Sequence, residues 1–320
     1  MTVRVSDAEF KEIWMRCEGH VPKIAKTLES TERLIYRRRN NLEAREGIAL
    51  PSSKTSTTGR PKEYVTKIGH RVTLDVSSGS VMIGSDGHFW PGERSVAFDA
   101  FIKLIPVLKP KAIVMGGDSF DGSRISRHPP GGWATLPEVA DEIAAVQERH
   151  AEIEGIAPDG CPLLWPAGNH DSRFGAKLAQ NAPEYLRVRG TDLADHFPSW
   201  QFCWSIFIND HTVLKHRWHQ GVHAAYNSVL KSGKNIVTGH THRLQATQFG
   251  DYNGIRFGIE TGTLSAWGPE SDKYAYAEDN PVNWSQGFVV LTFAENGMLL
   301  EPEFCRVFNG YAYFRGERIP

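Results

Sequence analysis

Apolar positions in the first 45 residues recur with the period of a helix. Phe10, Ile13, Trp14 and Cys17 fall at i, i+3, i+4 and i+7, behind a Ser6-Asp7-Ala8-Glu9 stretch that fits a capping box. Val21, Ile24, Ala25 and Leu28 mark a second short helix, and Glu29-Ser30-Thr31 supplies a turn and a cap. A third helix is predicted from about Glu32 to Arg45, with Leu34, Ile35 and Leu42 inward and Arg33, Arg37, Arg38 and Arg39 arranged around it.

Beyond residue 70 the pattern changes to short apolar runs alternating with helical stretches. Val81–Gly84, Ala112–Met115, Leu163–Trp165, Thr212–Leu214 and Ile236–Val237 read as buried strands, with helices over Val96–Leu108 and Glu138–Ile153. Further strands are predicted near Arg256–Ile259, Gly287–Phe293 and Leu299–Arg306, with little helix between them, which implies two packed sheets flanked by helices. Residues 51–70 are rich in Ser, Thr, Pro, Gly and Lys and read as a linker. The expected domains are therefore a helical head (1–50), the linker (51–70) and an α/β body (71–320).

Composition sharpens this picture at three points. The 320 residues are 40% hydrophobic and 23% charged, ordinary for a globular protein and unlike a disordered chain. No apolar run is long enough to span a bilayer, and Met1–Phe10 has no signal-peptide core. Cys17, Cys161, Cys203 and Cys305 stand singly, which favours free thiols in a reducing cytoplasm, a host cytoplasm if the gene is viral. Charge is uneven: residues 1–70 hold 14 Lys and Arg against 9 acids, a net +5, and the remainder is −6. A basic head suits an anionic partner. Its Ile24–Arg33 stretch resembles a helix-turn-helix, so DNA or RNA is the expected partner, with Arg33, Arg37, Arg38 and Arg39 as contacts. A protein-binding head, or a cap on the body, is the alternative. Oligomeric state is left open.

The chemistry lies just past the strand ends. Asp86-Gly87-His88, Gly117-Asp118-Ser119-Phe120-Asp121, Gly168-Asn169-His170-Asp171, Lys215-His216-Arg217 and Gly239-His240-Thr241-His242 each offer a carboxylate, an amide oxygen or an imidazole, four of them beside a glycine. The C-terminal edge of an α/β sheet is where ligands bind. A mixed Asp, Asn and His set suits transition metals, whereas all-oxygen sites suit Mg or Ca. Two cations ~3.5–4 Å apart are suited to cleaving a phosphate ester. Isolated histidines such as His128, His150 and His211 read as structural or exposed.

Taken in order, the five segments resemble the calcineurin-like metallophosphoesterase superfamily, with its D-x-H, G-D-x-x-D, G-N-H-D, lone H and G-H-x-H signatures; the likeness covers about residues 80–265. It implies a four-layer αββα sandwich of two packed mixed sheets with flanking helices, alongside the small all-α head. It also implies two divalent ions, manganese first, with Fe, Zn or Ni as alternatives. Asp86, His88 and His242 would hold one ion, Asn169, His216 and His240 the other, and Asp118 would bridge them. His216 is expected over His219 because the family's ligand follows directly on the strand. His170 would contact phosphate and protonate the leaving oxygen, Asp171 would orient its ring, and Asp121 would support the ligands from behind. Protein phosphatases of the superfamily carry Asp-Arg-Gly and GNHE, where this chain has Asp121-Gly122-Ser123 and Asp171, which argues against that activity. Glu260-Thr261-Gly262-Thr263-Leu264 and Glu278–Trp284 look like segments of bacteriophage and prophage phosphoesterases. Arg124, Arg127 and His128, in a loop that also holds Trp133, and Arg217 beside Trp218, are candidate phosphate or base contacts. The resulting expectation is a nuclease-type phosphodiesterase. The alternatives are a small-molecule or cyclic-nucleotide phosphoesterase and a non-catalytic DNA-binding scaffold.

Overall fold

The computed structural model describes residues 5–48, 50–51, 71–128, 134–267, 273–274 and 281–320. The predicted linker, apart from Pro51, and Trp133 and 278–280 lie outside the described residues. The chain divides into two compact units, Met1–Val65 and Thr66–Pro320.

In the first unit, α1 (Asp7–Arg16), α2 (Val21–Thr27) and α3 (Glu32–Glu46) enclose their own core. Ser6 Oγ accepts the Glu9 N–H at 3.2 Å, satisfying one of the orphan donors at the start of α1. Phe10, Trp14, Ile24 and Ile35 are fully buried together, and the Trp14 indole N–H donates to Pro51 O at 2.6 Å. This packing divides the four arginines expected to meet nucleic acid. Arg38 lies over the Phe10 ring and donates to Asp7 at 2.9 Å. Arg39 lies over Trp14 and donates to Glu43 at 2.9 Å and to Leu50 O at 3.1 Å. Both are therefore partly engaged within the head, Arg38 with α1 and Arg39 with Glu43 and Leu50. Arg33 and Arg37 are exposed.

The second unit is built on two mixed sheets. Among the described residues the eight-stranded sheet has the order β14 (Glu317–Ile319), β13 (Tyr311–Phe314), β12 (Glu303–Phe308), β11 (Gly287–Phe293), β2 (Gly79–Gly84), β3 (Ala112–Met115), β4 (Leu163–Pro166), β5 (Gln201–Cys203), and the six-stranded sheet β1 (Val72–Leu74), β6 (Ile206–Ile208), β7 (Thr212–Leu214), β8 (Asn235–Thr238), β10 (Gly254–Thr261), β9 (Leu244–Asp251). In the larger sheet β2, β3 and β4 run parallel, with Val81 opposite Ala112 and Ile113 opposite Leu163. In the smaller one β7 and β8 are parallel, with Val213 opposite Ile236.

Successive side chains of a strand point to opposite faces, and β2 shows why its run is wholly apolar. Val81 and Ile83 enter the core between the sheets, with Leu214, Val237 and Ile259 of the smaller sheet. Met82 faces the other way, into a core with Phe98 and Phe101 of α4 (Val96–Leu108) and Val146 of α5 (Val139–Ile156). Helix α7 (Ala224–Ser232) packs on the smaller sheet against β8, β9 (Leu244–Asp251) and β10 (Gly254–Thr261). The layers are thus α, β, β, α. Among the described residues no helix is long and apolar enough to cross a membrane.

Candidate metal centre

Because β2, β3 and β4 are parallel, their C-terminal ends share one sheet edge; β7 and β8 do the same in the second sheet. Hydrogen bonds fix the two edges: the pair from His240 N to the Asp86 carboxylate joins the sheets, and those from His88 N and Gly239 N each tie together the loops of one sheet. His240 N donates to both Asp86 carboxylate oxygens at 3.0 and 2.9 Å, His88 N donates to Asp118 O at 2.9 Å, and Gly239 N donates to His216 O at 2.8 Å. All five predicted segments meet there.

Three groups of side chains come within metal-binding reach of one another: Asp86, His88 and His242; Asp118, His216 and His240; and His88, Asp121 and His170. The first two bring together six of the seven side chains singled out as ligands in the sequence. His216, rather than His219, is the member contributed by its segment.

The imidazoles are turned for coordination. His88 Nδ1 faces Asp121 Oδ1 at 2.7 Å, and its Nε2 is buried with no hydrogen-bond partner. His216 Nδ1 donates to Gly116 O at 2.9 Å, and its Nε2 lies 2.9 Å from Asp118 Oδ2 without hydrogen-bond alignment. Fixing one ring nitrogen by an outer hydrogen bond leaves the other as a lone pair for a metal. Among the described residues Asn169 Oδ1 and His242 Nδ1 are likewise buried with no hydrogen-bond partner. Four such atoms in one place would each cost about 1–3 kcal/mol unsatisfied. Divalent cations bound by nitrogen and oxygen donors satisfy them, so the residues fit the metals that the motifs imply.

The backbone is strained at the same positions. Asp86, His88, Asp118, His240 and His242 have φ of 52°, 38°, 53°, 70° and 56°, a region L residues avoid at a cost of order 1–3 kcal/mol each. Glycines make the crowding possible. A Cβ at Gly168 would stand 2.0 Å from Asp118 Oδ1, and one at Gly239 would stand 2.1 Å from Ser85 Oγ.

Charge follows the geometry. Burial opposes the Asp86 charge, but the adjoining His242 imidazole holds the carboxyl down at about 2. Burial opposes the charge on His216 as well, yet the Asp118 carboxylate raises it to about 10 and is itself held far below the usual carboxylate range. That pair stores a proton where a cation could take its place. Burial lowers His88 and His240 to about 4, so both rings are neutral and ready to coordinate.

His170 sits at the rim, its side chain 15% exposed. Its Nδ1 lies 2.9 Å from Asp121 Oδ1 and 3.0 Å from Asp121 O. Burial works against its protonation, but Asp118 and Asp121 raise it above its ordinary value. The expected orienting role of Asp171 is corrected here. As the first residue of α6 (Asp171–Asn181), Asp171 turns its carboxylate away and accepts N–H groups from Asp118, Phe120, Gly168 and the Trp165 indole. Burial and the nearby Asp118 charge push it up to about 6. It ties the second and third segments together, and Asp121 is the residue that faces the His170 ring.

The predicted substrate contacts are placed differently. Arg124 donates to Pro137 O at 3.0 Å and Leu136 O at 2.6 Å, and Arg127 donates to His128 at 3.3 Å, so these two arginines hold their own loop. Arg217 is exposed. Sequence reasoning missed Arg173, which reaches His170, and Gln220, whose side-chain amide meets His240 Nε2 at 2.9 Å. The position of Arg173, three residues after His170 and in the helix that follows it, was the available signal. Gln220 lies in a loop and carried none. Tyr274 and Trp284, whose rings stand 5.9 and 4.2 Å from that of His242, were not singled out as site residues either.

No family model matches the chain. The Gene 54 protein of Mycobacterium phage L5 is 27% identical over 238 residues, which is 66% of this chain and 87% of that protein. Among solved structures, zinc-complexed Vps29 from Entamoeba histolytica has a TM-score of 0.40 and 14% identity, over 75% of this chain and 98% of its own. The phosphoesterase YfcE from E. coli has a TM-score of 0.32 and 17% identity over 70% and 97%. An archaeal phosphodiesterase has a TM-score of 0.37 and 14% identity over 71% and 99%.

Proposed function

We propose that the chain is a metal-dependent phosphoester hydrolase whose substrate is a nucleic-acid phosphodiester. The observation that carries the hydrolase reading is the meeting of five strand-end segments in which, among the described residues, His88 Nε2, Asn169 Oδ1, His216 Nε2 and His242 Nδ1 are buried without a hydrogen-bond partner. Asp86, His88 and His242 would hold one cation, and Asn169, His216 and His240 the other, with Asp118 between them. Two such ions, manganese first and Fe, Zn or Ni as alternatives, would neutralise phosphate charge and make water a better nucleophile. His170 Nδ1 lies 2.9 Å from the Asp121 carboxylate, and Nε2, 3.2 Å from Arg173, would deliver a proton to the departing oxygen once substrate takes that arginine's hydrogen bond. The carboxylates that raise the His170 pKa favour the proton-bearing ring near neutral pH. Asp171 keeps the Asp118 and Asn169 segments in register through its four N–H bonds.

The nucleic-acid part of the proposal draws on the head. Its exposed Arg33 and Arg37 lie on α3, and Arg37 lines an open cleft of about 430 Å³ with Asn41 and with Arg38 and Arg45, which are paired to Asp7. Cationic side chains on a helix suit phosphate contacts.

A panel of single-stranded DNA, duplex DNA, RNA, cyclic nucleotides and bis-nitrophenyl phosphate, with manganese and with chelator, tests both parts. Cleavage of a nucleic acid and of the aryl diester, each abolished by chelation, is expected. Turnover of cyclic nucleotides with polynucleotides untouched would move the substrate to small phosphoesters. Metal-loaded protein that cleaves no phosphoester would remove the hydrolase reading.

A further inference from the structure

We propose that Arg173 anchors the non-bridging oxygens of the substrate's phosphoryl group and holds them beside His170; this rests on the phosphoester reading above. Arg173 lies in the first turn of α6, and its backbone N–H donates to His170 O at 2.9 Å. One terminal guanidinium nitrogen donates to Asp121 O at 2.9 Å and stands 4.0 Å from the Asp121 carboxylate. The other lies 3.2 Å from His170 Nε2.

Position and exposure suit the role. The Asp86, Asp118 and His216 side chains are at most 2% exposed, whereas Arg173 is 21% and His170 15% exposed. His170 and Arg173, with the partly exposed Asn169 and His240, form the accessible side of the cluster, where an incoming anion arrives. Asp86, Asp118, Asp121 and Asp171 make that cluster rich in negative charge, and a phosphate entering it needs a fixed cation at the rim. Arginine stays charged at any working pH, and its five N–H groups form a planar fork matched to two phosphate oxygens. The contacts above engage one N–H on each terminal nitrogen. A phosphoryl oxygen bonded to the nitrogen nearer His170 would take over its contact with Nε2 and lie on that ring's side of the cluster. Placing a phosphoryl oxygen there would set the leaving group beside its proton donor.

The competing role is structural, with Arg173 merely pinning the Asp121 carbonyl. Calorimetric titration of inorganic phosphate into manganese-loaded, full-length wild-type, Arg173→Lys and Arg173→Ala proteins separates the two, with metal content measured on each sample. The anchor expects Arg173→Ala to bind phosphate about 10–100-fold more weakly, the range for losing charge-assisted hydrogen bonds. Arg173→Lys should fall between the two, because it keeps the charge and loses the fork, and all three proteins should hold equal metal. Three results would overturn the assignment: wild-type protein that does not bind phosphate, Arg173→Ala with wild-type phosphate affinity, or phosphate affinity that falls only in step with metal in both variants. Turnover of bis-nitrophenyl phosphate by the same samples reads the hydrolase proposal separately. Wild-type protein that binds phosphate through Arg173 yet cleaves no diester would contradict the hydrolase and leave the anchor standing.

Discussion

Replacing His170 with glutamine removes a proton carrier at the rim while leaving every unpartnered donor of the cluster in place. Metal content should be unchanged, and turnover of a poor leaving group should fall roughly 10²–10⁴-fold. The reduction should shrink with nitrophenolate, which departs without protonation. A His170→Gln protein that loses its metals would make His170 a ligand instead. That Asp121 and not Asp171 faces this ring was hidden in the sequence. Both acids flank the segments at motif positions, and only the fold reveals that the first turn of α6 aims Asp171 at four N–H groups. His150 was readable as a structural histidine, and its burial has a pH consequence. Set among Trp165, Phe197 and Trp200, it is pushed down by desolvation to about 3. An unfolded chain takes up that proton near pH 6.5, so the unfolded state binds more protons between about 6.5 and 3. Stability is therefore fully present above 6.5 and declines as pH falls below it, by up to about 1.4 kcal/mol per pH unit. His150→Phe should lose less Tm than wild type between pH 7.5 and 5.5. An equal drop in thermal melts would show that the ring is not held neutral.

At the scale of elements, legibility followed burial. β2, β3, β4, β7 and β8 are covered on both faces, so their sequences are largely unbroken apolar runs and their ends point to the site. β5 (Gln201–Cys203), β13 (Tyr311–Phe314) and β14 (Glu317–Ile319) lie at or beside sheet edges, with exposed and less exposed positions mixed over three or four residues, too short for periodicity to register. Helix α6 buries only Asp171 and so offers no apolar face to read, although it carries Arg173. Two glycines in and beside it give a paired test. At Gly168 an added Cβ meets Asp118 Oδ1 at 2.0 Å, so Gly168→Ala should displace the carboxylate and weaken metal binding by at least about tenfold, the equivalent of ~1.4 kcal/mol. Gly175, in the interior of α6, has nothing within 4 Å of such a Cβ. Gly175→Ala should stabilise the protein by about 0.5–1 kcal/mol, the helix preference for alanine, with metal affinity unchanged. Calorimetry on both variants checks this, and unaltered metal affinity in Gly168→Ala would mean that the loop tolerates the side chain.

At the scale of the molecule, charge is uneven, residues 1–70 being net positive and the remainder net negative, and nucleic-acid affinity is proposed for the head and chemistry for the body. Which arginines face outward was not legible. Arg33, Arg37, Arg38 and Arg39 are equally basic in sequence, and only packing shows that the last two lie over Phe10 and Trp14. Substituting Arg33 and Arg37 with alanine should weaken DNA binding and reduce the slope of log K against log salt by about 0.9 for each phosphate no longer neutralised, with Tm unchanged. Substituting Arg38 and Arg39 should lower the stability of the head. Unchanged anisotropy curves across a salt series for the first pair would leave the head without a role on nucleic acid. The body's claim is tested most directly by titrating manganese into metal-stripped, full-length wild-type protein and Asp118→Asn while following heat and bound metal. Two ions per wild-type chain are expected, with at least one missing from Asp118→Asn at unchanged circular dichroism. Wild-type protein that binds no metal, or Asp118→Asn that binds two ions at wild-type affinity, would contradict the two-metal centre.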